Sequence, residues 1–364
     1  MEMEQIGHVS LELPPGEGNP RNSEGAFIDL TDGRLLFIYS RFIGDSPEDN
    51  GYAVIAKRYS DDGGIHWTDD EIITTPEDHE AINIMSVSLL RLGNGDIGLF
   101  YLIRKGWHDT RLYVRRSADE GESWGELVCC IPGLGYFNVN NDRVIRLKSG
   151  RLVVPASYFR MKGESMVDWS SWDERAMLLF YLSDDDGRSW RESKSFHTLP
   201  SSRSRSGLDE PGVIELADGT LWAWMRTDMG SQYETFSSDG GETWSIPVPS
   251  VFTSPNSPLT MKRIPQTGDL LAIWNPIPNY QLRTYERHTA GRTPLVGAIS
   301  QDEGQTWERY FAAETEDHSG YCYTAIHFTE DAVLLAYCAG NREDRSCLRR
   351  LRISKIPFAD IYKE

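Results

Sequence analysis

Short apolar runs, each opened by a tight-turn signal, recur along the whole chain. They read Asp32-Gly33-Arg34-Leu35-Leu36-Phe37, Gly95-Asp96-Ile97-Gly98-Leu99-Phe100, Gly150-Arg151-Leu152-Val153-Val154, Gly219-Thr220-Leu221-Trp222-Ala223-Trp224, Gly268-Asp269-Leu270-Leu271-Ala272 and Asp331-Ala332-Val333-Leu334-Leu335-Ala336. Each is too short for a helix, is bounded by turn formers and is rich in aliphatic and aromatic residues, which predicts strands. Apolar residues fill nearly every position instead of alternating with polar ones, so these strands should be covered on both faces. No long segment carries a 3.6-residue period, and the chain reads as all-β.

A second repeat interleaves with the first. The octapeptide Ser-x-Asp-x-Gly-x-(Ser/Thr)-Trp ends at Trp67, Trp124, Trp190, Trp244 and Trp307, with His66 replacing the hydroxyl residue in the first copy. Its Ser and Asp suit hydrogen bonding within a turn, and its Gly supplies positive φ. The Trp is expected to fold over its own hairpin as a small local core. A period of about 60 residues is one supersecondary unit. Six such four-stranded units predict a single-domain six-bladed β-propeller over 1–364. Its blades fall near 21–75, 80–132, 137–200, 205–250, 252–312 and 318–358. The last is short by one strand, which the amino-terminal strand, residues 6–13, is expected to supply and so close the ring.

Composition narrows the partners. The 364 residues carry 37 Lys+Arg against 55 Asp+Glu, a formal net charge of −18. That balance argues against nucleic acid or an anionic membrane surface as a partner. Gly, Arg or Asp interrupts every apolar run before the roughly 18 residues of a membrane span. Five cysteines without metal-like spacing read as ordinary thiols of a reducing compartment. Met1-Glu2-Met3-Glu4-Gln5 has no signal-peptide character, so a cytoplasmic location is expected. Eight histidines in no paired-ligand spacing give no support for a catalytic metal, and no cofactor is implied.

In a propeller the ligand site lies at one end of the axis, among the innermost strands and the loops after the second strands. Candidate inner-strand residues are Arg21 to Glu24, Asn83 with Ser86, Asn140 to Arg143, Asp209-Glu210, Ser254 with Asn256, and Tyr321 to Tyr323. Second strands end in Arg41, Arg104, Arg160, Arg226 with Asp228, and Asn275. Carboxylates, tyrosines and arginines in one funnel suit an anionic or heavily hydroxylated sugar.

These motifs resemble those of the sialidases, whose propellers carry the same octapeptide (the Asp-box), and the resemblance spans essentially the whole chain. Glu210-Pro211-Gly212-Val213-Ile214-Glu215 through Trp224-Met225-Arg226 is similar to the segment bearing the glutamate partner of the nucleophile and a carboxylate-binding arginine. The resemblance thus implies Glu210 as partner and Arg226 as clamp. Trp274-Asn275-Pro276 followed by Arg292-Thr293-Pro294-Leu295 implies a second clamp at Arg292. Tyr323-Thr324-Ala325-Ile326 implies Tyr323 as nucleophile, with Tyr321 the alternate on the same strand face. The loop after Arg41 carries Asp45, Glu48 and Asp49 where sialidases place a mobile acid/base aspartate, and Asp49 is favoured.

One departure stands out. Sialidases open their first blade with Arg-Ile-Pro, where this chain has Ser23-Glu24-Gly25. Arg21 or Arg41 is then the substitute, or the clamp is incomplete and the sugar is not sialic acid, since Glu24 would repel a substrate carboxylate. The expectation is an exo-acting retaining glycoside hydrolase on a carbohydrate substrate. Two alternatives are a lyase or non-sialic glycosidase, in which Asp142, Arg143, His108 or Tyr158 converge with the tyrosines, and a non-catalytic sugar-binding propeller. Asn140 to Arg143 are expected to form a polar, ligand-facing strand.

Overall fold

The computed structural model describes residues 4–163, 171–279 and 283–363. Strands dominate, and the one α-helix among the described residues is the four-residue Phe358–Ile361. Asn22–Asp29, Leu35–Phe42, Ala53–Ser60 and Glu71–Thr74 pair antiparallel in chain order. Asp209–Glu215, Leu221–Arg226, Ser231–Ser237 and Val248–Thr253 form another such sheet, as do Thr260–Arg263, Leu270–Trp274, Leu295–Ser300 and Glu308–Glu314. In the last sheet Cys322–Phe328, Ala332–Cys338 and Leu351–Pro357 take their fourth strand from the amino terminus, where His8–Leu13 pairs with Leu351–Pro357. The second and third repeat units share one larger sheet, because Tyr136 pairs parallel with Thr110.

The unbroken apolar runs are explained by what lies on either side of them. Along Leu35–Phe42 side chains alternate between faces. Leu36 and Ile38 pack with Ile84, Leu99 and Tyr101 of the next unit. Leu35, Phe37 and Tyr39 pack with Ala325, Leu334 and Ile353 of the last one. Leu270–Trp274 repeats the pattern, with Leu271 and Ile273 against the last sheet and Leu270, Ala272 and Trp274 against the preceding one. Each buried leucine, isoleucine or phenylalanine among them contributes roughly 1.5–3 kcal/mol.

The octapeptides are closed turns. Ser117 Oγ accepts from Gly121 N at 2.7 Å and donates to Asp119 Oδ1 at 2.7 Å, while Asp119 accepts from both Ser123 N and Ser123 Oγ. Asp185, Asp239 and Asp302 repeat this, and at Asp62 the ring of His66 takes the place of the hydroxyl. The tryptophans do more than cover their own hairpins. The indole N–H groups of Trp190 and Trp244 do bond to their own turns, at Gly187 O and Gly241 O. Their rings pack on the preceding unit, however: Trp190 edge-on to Phe100, Trp244 stacked on Phe180 at 3.8 Å. The octapeptide glycine docks the same way. Gly304, at φ +86, has no room for a Cβ, which would lie 2.4 Å from the ring of Trp222. Each repeat turn therefore fastens one unit to the one before it.

Candidate active site

Four innermost strands break register at the same point, between Ser23 and Ala26, Met85 and Ser88, Asp209 and Gly212, and Cys322 and Ala325. At each break one non-glycine residue adopts positive φ: Glu24 (51°), Ser86 (62°), Glu210 (48°) and Tyr323 (58°). Asp142 (58°) does so in the third unit, between Tyr136–Asn138 and Ile145–Arg146. Bulges re-aim side chains, and left-handed non-glycine residues cost of order 1–3 kcal/mol each, so their recurrence marks the positions that the fold holds under strain.

Two of these bulges meet. Tyr323 donates its phenolic O–H to Glu210 Oε1 at 2.9 Å. Arg226, at the end of the second strand of the Glu210 sheet, serves both carboxylates beside it: Nη2 is 2.7 Å from Asp209 Oδ2 and Nη1 is 2.7 Å from Glu210 Oε2. The same Nη1 donates to the Tyr323 oxygen at 3.3 Å. Burial raises the Glu210 carboxyl to about 7, against the lowering pull of Arg226, with Asp209 adding to the rise. Burial and the Glu210 charge also push the Tyr323 phenol well above its usual range, so the resting hydroxyl is protonated. Arg292 lies over the Tyr323 ring, 5.4 Å from its centroid. Asn141 holds the bulge from behind, donating to Gly25 O at 2.8 Å and Tyr323 O at 3.1 Å.

The dyad opens into a cavity of about 470 Å³, lined by Asp209, Glu210, Arg226 and Tyr323 on its floor. Trp107, Tyr136, Phe159 and Trp172 form an aromatic wall, and Glu48, Asp49 and Asn50 form the lip. Asp49 is 2.6 Å from Arg21, yet its side chain stays 59 % exposed. Burial works against its charge, but Arg21 and Arg104 outweigh it and hold the carboxyl below its ordinary value. The loop that carries Asp49 is pinned: Arg104 donates to Asp49 O, and Asn83 donates to Gly51 O at 2.6 Å.

Other expected site residues are placed elsewhere. Arg21 is buried and occupied on two sides, by Asp49 and by Glu24 at 2.9 Å, while Ser86 Oγ donates to the other Glu24 oxygen. Arg41 pairs with Asp70 at 2.5 Å and does not line the cavity. Asp142 pairs with Lys262 at 2.6 Å and accepts from Ile326 N, in a different hollow. Arg143 ties the sheets together through Thr260 Oγ1 and Leu259 O, and burial lowers its guanidinium to about 10. Asn140 to Arg143 do not form a strand and do not line the tyrosine cavity: they span a gap between two short strands, and Asn141, Asp142 and Arg143 bond to the protein itself. Tyr321 does not share a face with Tyr323, because the bulge turns Tyr323 to the cavity while Tyr321 packs on Tyr337 in the core. Among the described residues no cluster of three or more His, Cys, Asp or Glu is arranged to hold a metal, and no helix is long and apolar enough to cross a membrane.

The aromatic wall and Arg104 were not singled out as site residues from the sequence. Trp107 and Trp172 stand in loops after second strands, outside the core pattern, which is the signal that would have found them. Arg104 was visible only as one of several strand-end arginines.

A buried phenol hydrogen-bonded to a carboxylate, with arginines on two sides and an exposed aspartate across an aromatic-walled cavity, is an arrangement able to pass protons to and from a ligand held there. The fold that carries it is a β-propeller, shared with solved sialidase structures. The chain belongs to the BNR repeat-like domain family, whose pattern matches residues 21–335. It is 28 % identical over 169 residues to the anhydrosialidase of Macrobdella decora, covering 42 % of this chain and 19 % of that protein. It is 25 % identical over 246 residues to human Sialidase-4, covering 61 % of this chain and 49 % of the relative. The chain thus spans half or less of the length of these two relatives. The intramolecular trans-sialidase of Ruminococcus gnavus superposes with a TM-score of 0.71 at 14 % identity, over 98 % of both chains.

Proposed function

We propose that this protein is a sialidase-like retaining exo-glycoside hydrolase, acting on a glycan with an acidic sugar through Tyr323, Glu210 and Asp49. The observation that carries the reading is the 2.9 Å bond from the Tyr323 hydroxyl to Glu210, with Arg226 touching both. In this reading the sheets are the six blades of one closed propeller domain over 1–364. The packing of Leu35, Phe37 and Tyr39 against Leu334 and Ile353 supports closure.

A sugar acid with its carboxylate on the anomeric carbon repels a carboxylate nucleophile, and a neutral phenol does not. Tyr323 Oη forms the bond to the anomeric carbon as its proton passes to Glu210. The glycosidic C–O bond breaks, and the leaving oxygen takes its proton from Asp49, whose carboxyl must first be released from Arg21 to carry one. Water then attacks the anomeric carbon, gives its proton to Asp49, and releases the sugar while Tyr323 recovers its proton from Glu210. Two displacements retain configuration. Arg226 stabilises the charge that develops on Tyr323 and Glu210. Arg292, which covers the Tyr323 ring from the neighbouring hollow, is the arginine left to the substrate carboxylate, because Arg21 and Arg226 are already engaged by Glu24, Asp49, Asp209 and Glu210. The lyase alternative loses its support, since Asp142, Arg143, His108 and Tyr158 do not line the cavity.

The test is release from sialyl, Kdn, Kdo, uronyl and arabinosyl aryl glycosides, with mass spectrometry of the trapped intermediate. Cleavage of at least one, with a glycosyl adduct on Tyr323, is expected. Cleavage of none removes the hydrolase reading, and an unchanged rate in Tyr323→Phe removes the tyrosine from it.

A further inference from the structure

Beside the tyrosine cavity, the segments 286–292 and 342–348 enclose a second hollow of about 630 Å³. Both belong to loops that join second to third strands, as do the loops carrying Asp49 and Trp107, so the two hollows open at the same end of the molecule. Its wall includes Arg287, His288, Arg292, Arg342, Arg345 and Cys347. The two segments carry four arginines against Glu286, Glu343 and Asp344, a slightly positive balance in a chain of net charge −18, with the arginines on the wall. Glu286 neutralises part of it, lying 2.8 Å from Arg342, 2.7 Å from His318 and 3.4 Å from His288. Among the described residues no carboxylate stands within ion-pair distance of Arg287, Arg292 or Arg345.

Arg292 is the informative one. Only 9 % of it is exposed, its Nη2 donates to Asn256 O at 3.1 Å, and its Nε has no hydrogen-bond partner among the described residues. Burial works against its charge, and Cys322, Tyr323, Cys347 and Glu210 outweigh it without any of them hydrogen-bonding the free Nε, so an anion in the basin would add to that support. The walls are held in place before any ligand arrives. Cys347 N donates to His288 O at 2.8 Å, Gly340 N to Cys347 O at 3.0 Å, and Tyr321 N to Arg292 O at 2.8 Å. Such preorganisation lowers the ordering cost of binding. Arg292 also joins the two hollows, since it lines this one and covers the ring of Tyr323, which lines the other.

We propose that this basin is a subsite for a second anionic group, a carboxylate or sulfate on the sugar adjoining the one in the tyrosine cavity, so that the substrate is a polyanionic glycan. The assignment rests on the glycosidase reading for the sugar in the cavity. Arginine suits the task because its planar fork matches carboxylate and sulfate oxygens in pairs.

The test is a calorimetric titration of the full chain and of the Arg287→Ala/Arg345→Ala double variant, with thermal melting to show that both are folded. The probes are lactose, an unsulfated uronate-containing disaccharide and its sulfated counterpart. The wild type is expected to bind the charged disaccharides at least roughly tenfold more tightly than lactose, an advantage that shrinks with added salt and falls about tenfold in the double variant. A preference for the sulfated form assigns the site to sulfate, and equal binding of the two charged forms assigns it to the carboxylate. Equal affinity for lactose and the charged probes, or an undiminished advantage in the double variant, overturns the proposal. Binding is read without turnover. A protein that cleaves no aryl glycoside yet keeps the arginine-dependent preference loses the glycosidase reading and retains the basin.

Discussion

The two ends of the molecule treat carboxylates in opposite ways. At the octapeptide end Asp62, Asp119, Asp185, Asp239 and Asp302 are each satisfied by their own turn, through groups two to four residues away. At the site end Asp49, Asp209 and Glu210 are satisfied across the fold by Arg21, Arg226 and Tyr323, and Glu24 by Ser86 of the next unit as well as by Arg21 three residues away. Local pairing makes a turn that works unchanged in every unit. Remote pairing makes one site, different at each of its walls, whose charges depend on one another. Substitutions at the first end should therefore cost stability and spare the chemistry, while those at the second should do the reverse or cost both.

The largest effect is expected at Glu210. Glu210→Gln should lower kcat/KM by on the order of 10²–10⁴-fold, measured on whichever aryl glycoside the wild type cleaves. The pH profile sharpens the assignment. In the proposed mechanism Glu210 must be ionised to accept the phenolic proton, and burial raises it to about 7, so activity should be lost as pH falls through that value and gained as it rises. The rising limb near pH 7 should vanish in Glu210→Gln. A limb that survives belongs to another group.

Arg226→Ala tests the coupling itself. It strands Asp209 and Glu210 in a buried place without their cation, and removing one partner of a buried pair costs about 3–5 kcal/mol. Chemical denaturation should show a loss of that order together with a loss of turnover. A variant that loses turnover at full stability would show that the site-end charges do not depend on one another.

What the sequence revealed follows the same division. The turns and the second strands were legible because their signals are local: Ser, Asp and Gly within eight residues, and apolar runs behind a turn. The shared sheet of the second and third units and the docking of Trp190 and Trp244 onto the preceding unit were not, since each depends on a partner in another unit, from 26 to 90 residues away. At the site, Tyr323, Glu210 and Arg226 were found through resemblance and lie together. Tyr321 faces away from the cavity because one bulge residue reverses which face its neighbours present, and Asp142 because it stands in left-handed backbone between two short strands. A signal was available. Glu24, Ser86 and Glu210 each precede their turn glycines, Gly33, Gly95 and Gly219, by the same interval.

The smallest effects belong to the octapeptide end, and they test whether that end is as self-contained as its hydrogen bonds suggest. Asp185 is held at about 2: burial opposes its charge, and bonds from Ser183, Arg188 and Ser189 outweigh that. Asp239 is held alike. A depressed carboxyl adds stability that is complete above its unfolded value near 3.8 and fades as pH falls towards 2. Stability should therefore decline over that window, and Asp185→Asn should make the decline shallower. At neutral pH the same variant should lower stability by about 1 kcal/mol, the usual net worth of a solvent-accessible hydrogen bond, with turnover unchanged. Gly304→Ala is the control that separates turn from staple. Its turn hydrogen bonds remain possible, but the new Cβ meets Trp222 of the preceding unit in a left-handed backbone. A loss of about 1–3 kcal/mol is expected from the overpacking. If Asp185→Asn costs as much as Gly304→Ala and also slows turnover, the two ends are coupled through the sheets and the division between them does not hold.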